Sequence, residues 1–321
     1  MASVYDDVTP AWLKDTFLLG VDLTLDKGEP YPDTIYTSAI ASAVQWIEHE
    51  LGIILDPMPI VDERHDARLE DHDAWWPFSL DHRPLVSVDG MALQFGTYPR
   101  VTFPKSWIVP VAETQSRINL MPSGDSIGSF MFRNGVPLVL GDVFQPMPSV
   151  PGYFVFDYTA GFAQYEGTAS IADGVATKTV TLPGTMPRGT YRVIATVAGN
   201  GAAGVTVTAK TSAAFTVALT TPPSGGAATL TWRVSAIPAD LLQAIGYKAS
   251  LLPLDIAGDL IAGAGVANKS ASLDGLSASV GTTSSATNSG YGARVLQFER
   301  ELKGLLPALR ARYRAVNFGA L

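Results

Sequence analysis

The side-chain chemistry of this chain changes abruptly after Phe162. From 163 to 235 only seven of 73 residues are charged, and Ala, Thr, Gly and Val dominate. Short β-prone runs occupy 177–182, 191–197, 204–209, 214–219 and 228–234. Between them fall Pro183-Gly184, Gly199-Asn200-Gly201 and Pro222-Pro223-Ser224-Gly225-Gly226, all turn formers. Strands at this spacing predict a small β-sandwich of immunoglobulin-like type. The chain has no cysteine, so an inter-sheet disulfide is excluded, and Trp232 and Tyr191 are the expected core aromatics.

The flanks obey a different period. Ile35, Ala39, Ala43, Trp46, Ile47 and Leu51 fall at helical spacing, which predicts a helix over 33–51 with Asp33 as cap and Gly52 as stop. A shorter helix is expected at 9–18. The stretch 83–103 reads as strands, with Asp89-Gly90 as a two-residue hairpin turn. Further strands are expected at 107–109, 118–121, 130–132 and 153–158. Helix returns at Pro238, a first-turn proline, and Pro253 is expected to end or kink it, with 254–264 continuing. Residues 268–290 read as a Ser/Thr/Gly-rich loop. A final helix is expected over 290–316, bent at Pro307, with Val295, Phe298, Leu302, Leu305, Leu306, Leu309, Tyr313 and Val316 on one stripe. Arg300, Lys303, Arg310 and Arg314 cluster on the neighbouring face, and Arg312 lies nearer its other edge. The fold class is α+β.

Charge is distributed unevenly. The net formal charge is −8, which argues against nucleic-acid binding along the whole surface. From Arg294 onward, however, six Lys/Arg oppose two Asp/Glu, a pattern suited to an acidic partner or a DNA backbone as well as to a solvated helix face. No apolar run approaches the length of about 18 residues that spans a membrane. The first residues lack a basic n-region and an apolar h-region, so no signal peptide is expected.

Catalytic strings fail on context. Gly124-Asp125-Ser126-Ile127-Gly128 matches a nucleophile elbow, but Ser129-Phe130-Met131-Phe132 after it reads as strand. The four histidines all precede the serine, although that chain order needs one after it. Gly199-Asn200-Gly201-Ala202-Ala203-Gly204 matches a dinucleotide loop, yet strand follows where a helix is required, and the next acid is Asp240. No Gly-Lys pair exists, so the phosphate-binding Walker pattern is absent. Six acids, two arginines and two histidines crowd 62–73 without metal-ligand spacing; a solvated connector or edge strand is the better reading. Asp71, Asp73 and Asp81 near Trp75 and Trp76 offer paired carboxylates for a glycosidase, a signal that any acidic chain provides. No catalytic, metal or cofactor site is expected, and the chain reads as a non-enzyme.

Several of these segments resemble the head–tail connector (adaptor, head-completion) proteins of tailed bacteriophages. Tyr31-Pro32-Asp33 opening a helix that closes on Trp46-Ile47-Glu48-His49-Glu50-Leu51-Gly52 is similar to their N-terminal helix. Arg83-Pro84-Leu85-Val86-Ser87-Val88 resembles the β region that follows, and Phe156-Asp157-Tyr158-Thr159-Ala160-Gly161-Phe162 the strand that closes it. Ile237-Pro238-Ala239-Asp240-Leu241-Leu242 resembles the next helix of such proteins, displaced here by about 75 residues, the length of a small domain. The resemblance therefore implies a discontinuous, helical-bundle connector core with an antiparallel β region, in parts 1–162 and 236–321, interrupted by an inserted immunoglobulin-like domain at 163–235. It further implies a structural virion protein of the phage neck, made in the host cytoplasm and assembled as a homo-oligomeric ring, a dodecamer in such proteins. The ring would join the portal to the tail or a tail-terminator or other neck protein and line a channel through which DNA passes without sequence-specific binding. Portal or channel contacts would fall on Arg300, Lys303, Arg310, Arg312 and Arg314, with Phe318 and Leu321 as apolar anchors. No membrane and no cofactor are implied.

Two other readings compete. A virion surface or adhesion protein would use the immunoglobulin-like part to bind a glycan or receptor. A metal-dependent or glycoside hydrolase would be built on 62–82.

Overall fold

The computed structural model describes residues 3–25, 28–68, 77–94, 100–121, 149–186, 191–262, 268–273, 276–281 and 291–314. Helices and antiparallel sheets are mixed, as the α+β reading requires. The chain divides into two compact units, Met1–Leu51 with Tyr165–Ala311, and Gly52–Gln164 with Arg312–Leu321.

Among the described residues, the first unit holds five helices and two small β structures. Helix α1 spans Val4–Asp7 and is closed by a reciprocal capping box between Ser3 and Asp6. Helix α2, Pro10–Thr16, starts on a Thr9 cap whose hydroxyl accepts from the Trp12 amide. Helix α3, Asp33–Leu51, has the boundaries its periodicity predicts; Tyr36, Ala39, Ile40, Ala43, Val44, Ile47 and Leu51 form its buried face. Gly52 follows at φ +64°, the left-handed geometry that glycine adopts without cost at a helix end. Helix α4, Ala239–Ala262, packs on α3 and carries Pro253 inside it, so that proline does not end the helix. Helix α5, Gly292–Tyr313, likewise carries Pro307 and buries Val295, Phe298, Leu302, Leu306, Leu309 and Tyr313.

The strands of the first unit follow the sequence expectation with one addition. Strands β9 (Thr177–Thr181), β10 (Arg192–Ala198), β11 (Ala203–Lys210), β12 (Ala214–Thr221) and β13 (Ala228–Ser235) match the five expected runs, and β8 (Gln164–Ile171) adds a sixth. They form two three-stranded sheets, ordered β10-β13-β8 and β11-β12-β9. Phe215 of one sheet meets Trp232 of the other edge-on at 5.6 Å, which makes this an all-β sandwich part. Tyr191 is buried, and its hydroxyl donates to the carbonyls of Thr211 and Ala214. The Gly199-Asn200-Gly201 string is a tight turn between β10 and β11, with all three residues at positive φ.

One expectation for this unit fails. The Ser/Thr/Gly-rich stretch expected as a loop over 268–290 contains a two-stranded antiparallel ladder, β14 (Asn268–Leu273) with β15 (Leu276–Gly281). Serine-rich composition hid the alternation.

The second unit is a four-stranded antiparallel sheet, β1-β7-β3-β4, joined by a three-stranded one, β2-β6-β5. Its strands are β1 (Met58–Arg68), β2 (Pro77–Ser79), β3 (Leu85–Leu93), β4 (Val101–Thr102), β5 (Ile108–Ala112), β6 (Arg117–Leu120) and β7 (Ser149–Ala160). Tyr153, Phe154, Val155 and Phe156 of β7 are buried consecutively, so both faces of this strand are covered. The charged run beginning at Asp62 is the sheet-edge strand β1. Asp89-Gly90 is not a hairpin turn. Strand β3 runs through it, Val88 pairing with Tyr158 and Gly90 with Asp157, so Asp89 is the extra residue of a bulge. The reason lies in the twelve-residue partner β7, which templates both halves of β3, while Asp89 is held by Ser87 and Thr159 hydroxyls. At Gly161, φ +114°, an added Cβ would lie 2.5 Å from the Asp56 carbonyl oxygen, so only glycine fits the close of β7. The strand expected at 130–132 and the Gly124–Gly128 string lie outside the described residues.

Gly246 on α4 is covered by the ring of Phe17, with no room for a side chain. Gly246→Ala should gain about 1 kcal/mol in helix propensity and lose about 1–3 kcal/mol by forcing Phe17 out of place. A net fall in thermal midpoint is expected, and a rise would show that Phe17 relocates freely.

Candidate functional site

The basic residues expected on the last helix differ in how they are engaged. Arg300 and Lys303 are exposed on α5. Arg310 is exposed too, yet it is engaged: its Nη2 lies 2.6 Å and its Nε 2.8 Å from Glu50 Oε1 on α3. It serves as a tie between two helices, which corrects the expectation of a free cation there. Arg312 places its guanidinium 6.0 Å from the Tyr313 ring, and both it and Arg314 are exposed. Phe318 and Leu321 lie outside the described residues, as do His72, Trp75 and Trp76.

Two further places draw polar chemistry together, and neither was singled out by the sequence. The first is built on Glu63. The extra residue Asp62, at φ +62°, breaks the β1–β7 register before it. Glu63, His65 and Ala67 then alternate toward the apolar cluster that contains Phe78, Phe154 and Phe156. The Glu63 carboxylate accepts from His65 Nε2 at 2.7 Å, the Asp81 amide at 3.0 Å, His82 Nδ1 at 3.2 Å and the Tyr158 hydroxyl at 2.5 Å. The Tyr158 oxygen in turn accepts from the His82 amide at 3.1 Å. Burial by itself pushes the Glu63 carboxyl up, but the donors from His65, Tyr158, Asp81 and His82 together outweigh it and hold the group at about 2. Burial, and then the bond to Glu63, drive the Tyr158 phenol far above its ordinary range. All of the carboxylate's strong acceptor directions are filled by protein donors, so it has none left for a ligand. Among the described residues, no group of three or more His, Asp or Glu could hold a metal ion. The sequence signal was present, as Glu and His two apart on a strand, but the surrounding charges concealed it.

The second place is a pocket of about 560 Å³ in the first unit, walled by Trp12, Phe17, Tyr247 and Phe298 and bearing Arg192 and Arg294. Phe17 is the hub of the aromatic wall, with rings of Trp12, Tyr247 and Phe298 at 5.2, 5.3 and 6.3 Å. Arg294 lies over the Phe298 ring at 5.4 Å, and its Nη2 donates to the Phe17 carbonyl at 2.8 Å. Arg192 stands 3.5 Å from the buried carboxylate of Asp7. The contributing residues are spread from 12 to 298, so no local motif could have announced them.

The sequence matches no protein-family model and no curated protein.

Glu63 supplies a pH prediction. Its folded pKa lies below the ordinary value of 4.5, so its contribution is complete above that value and is lost as pH falls toward about 2. Urea melts of wild type and Glu63→Gln should differ most above pH 5 and converge as pH is lowered to 2. A gap that stays constant over this range would mean that the charge of Glu63 contributes nothing.

Proposed function

We propose that the chain is a structural virion protein of a tailed-phage neck, forming a ring that joins the portal to the tail or the next neck protein and lines the DNA channel. The observation that carries this reading is the packing of α3 on α4 across the intervening strands, with α5 tied to α3 by Arg310–Glu50 and to α4 by the Tyr247–Phe298 ring contact. That the helices pack together although the chain between α3 and α4 runs through the strands supports the resemblance to connector proteins. In this reading the sandwich is the inserted immunoglobulin-like domain, and a neighbour repeats the same contacts around a closed ring.

The exposed side of α5 is the portal or channel contact. Arg300 and Lys303 are its test positions, because Arg310 is committed to Glu50 and reversing it would place two carboxylates together.

Light scattering and negative-stain imaging of the protein, alone and mixed with its portal, should give closed rings. Arg300→Glu with Lys303→Glu should weaken portal binding at least about tenfold, or about 1.4 kcal/mol, with unchanged helicity by circular dichroism. Wild-type affinity at every salt concentration would remove this face from the interface.

A further inference from the structure

We infer that the aromatic–arginine pocket of the first unit receives an acidic, tryptophan-bearing segment, residues 69–76, of a second copy of this chain. The inference rests on the ring reading and names the contact between neighbours.

The pocket asks for a specific chemistry. Among the described residues no acidic side chain lines it, although the chain as a whole carries a net charge of −8. The buried Nε of Arg294 has no hydrogen-bond partner, while the rest of that guanidinium is fixed by Phe298 and the Phe17 carbonyl. A buried donor left unmade is costly, and a guanidinium held in place selects a carboxylate by its planar geometry. Arg192 adds a second cation, more than a third exposed, already oriented by Asp7. The surrounding wall of Trp12, Phe17, Tyr247 and Phe298 rewards an aromatic neighbour to that carboxylate. At about 560 Å³ the space takes a few side chains.

The chain itself contains one such segment. Leu69-Glu70-Asp71-His72-Asp73-Ala74-Trp75-Trp76 combines three acids with two tryptophans, and the chain has no other stretch of eight with two tryptophans. It lies outside the described residues, between β1 and β2 of the second unit. The charges and the rings complement the pocket. A contact between two different surfaces of identical copies is heterologous, the type that closes into rings.

The test uses a fluorescein-labelled peptide of residues 69–76 titrated with the full chain and read by anisotropy. Wild type should bind it, and a peptide with lysine at 70, 71 and 73 should bind at least tenfold more weakly. Arg192→Ala should also reduce binding at least tenfold at unchanged helicity. No binding to wild type, or equal binding of both peptides, overturns the inference. The second measurement mixes two full-length variants, Arg192→Ala and the triple Glu70→Lys, Asp71→Lys, Asp73→Lys. Neither should assemble alone, and the mixture should pair, since each copy retains one half of the contact. A mixture that stays monomeric while the triple variant still binds wild-type peptide places the segment elsewhere and overturns the second-copy assignment. Rings formed by the triple variant alone overturn the inference while leaving the ring reading intact. Wild type that pairs through this contact but never closes into rings does the reverse.

Discussion

The carboxylate of Asp7 is fully buried, and the organisation of the first unit follows from how it is neutralised. Arg233 Nη2 approaches it at 2.9 Å and Arg192 at 3.5 Å, while Arg233 also donates to the Ser3 carbonyl at 3.1 Å and stands 3.6 Å from Asp6. An isolated helix of four residues has no stability in water, since nucleation is unfavourable by a factor of about a thousand. Helix α1 therefore exists because its last residue is an anion locked between two cations of the β10–β13 pair. Removing one member of such a pair strands the other charge, at a cost of about 3–5 kcal/mol. The same contact orients Arg192 at the rim of the aromatic pocket. The sandwich is thus braced by a residue far outside its own sequence and is not a bead attached only at its ends.

The second unit meets the same requirement by another route. Glu63 is also a buried carboxylate, but it faces neutral and imidazole donors rather than guanidinium groups, four of them from β1, β7 and the residues before β3. Two carboxylates of one protein thus show two ways of burying charge, ion pairing and saturation by hydrogen bonds. Ion pairing leaves spare charge at the pocket, whereas saturation leaves no acceptor at Glu63. The contact proposed above draws on that spare charge beside Asp7 and not on the more elaborate cluster.

What was legible in the sequence was whatever one period could express. Helix α3 was readable to both ends because seven buried positions and a terminal glycine agree, and five of the six sandwich strands were readable because prolines and glycines fall between alternating runs. Asp-Gly pairs show the limit. The pair at 89–90 sits in a continuous strand, because a long partner templates both sides, while that at 274–275 falls between β14 and β15, whose Leu273 and Leu276 are paired. For the pair at 89–90 the outcome is decided by a partner that is distant in sequence. The pocket had no local signal and the Glu63 cluster only a concealed one, since each depends on contacts made only after the sheets and helices assemble.

Counting charges on the last helix also overstated what it can offer. Of the six basic residues from Arg294 onward, Arg294 is spent on the Phe17 carbonyl and Arg310 on Glu50, so two of them fix the helix against α2 and α3. The exposed remainder of the described helix, Arg300 and Lys303 foremost, is weak in a single subunit, because an exposed ion pair contributes about 0–1 kcal/mol. Repetition changes this arithmetic. In the proposed ring every copy presents the same pair to the same partner surface, and once one copy is docked the others bind at high effective concentration. In that proposal a face that is negligible on the monomer would become decisive in the assembly, because many weak contacts would act together.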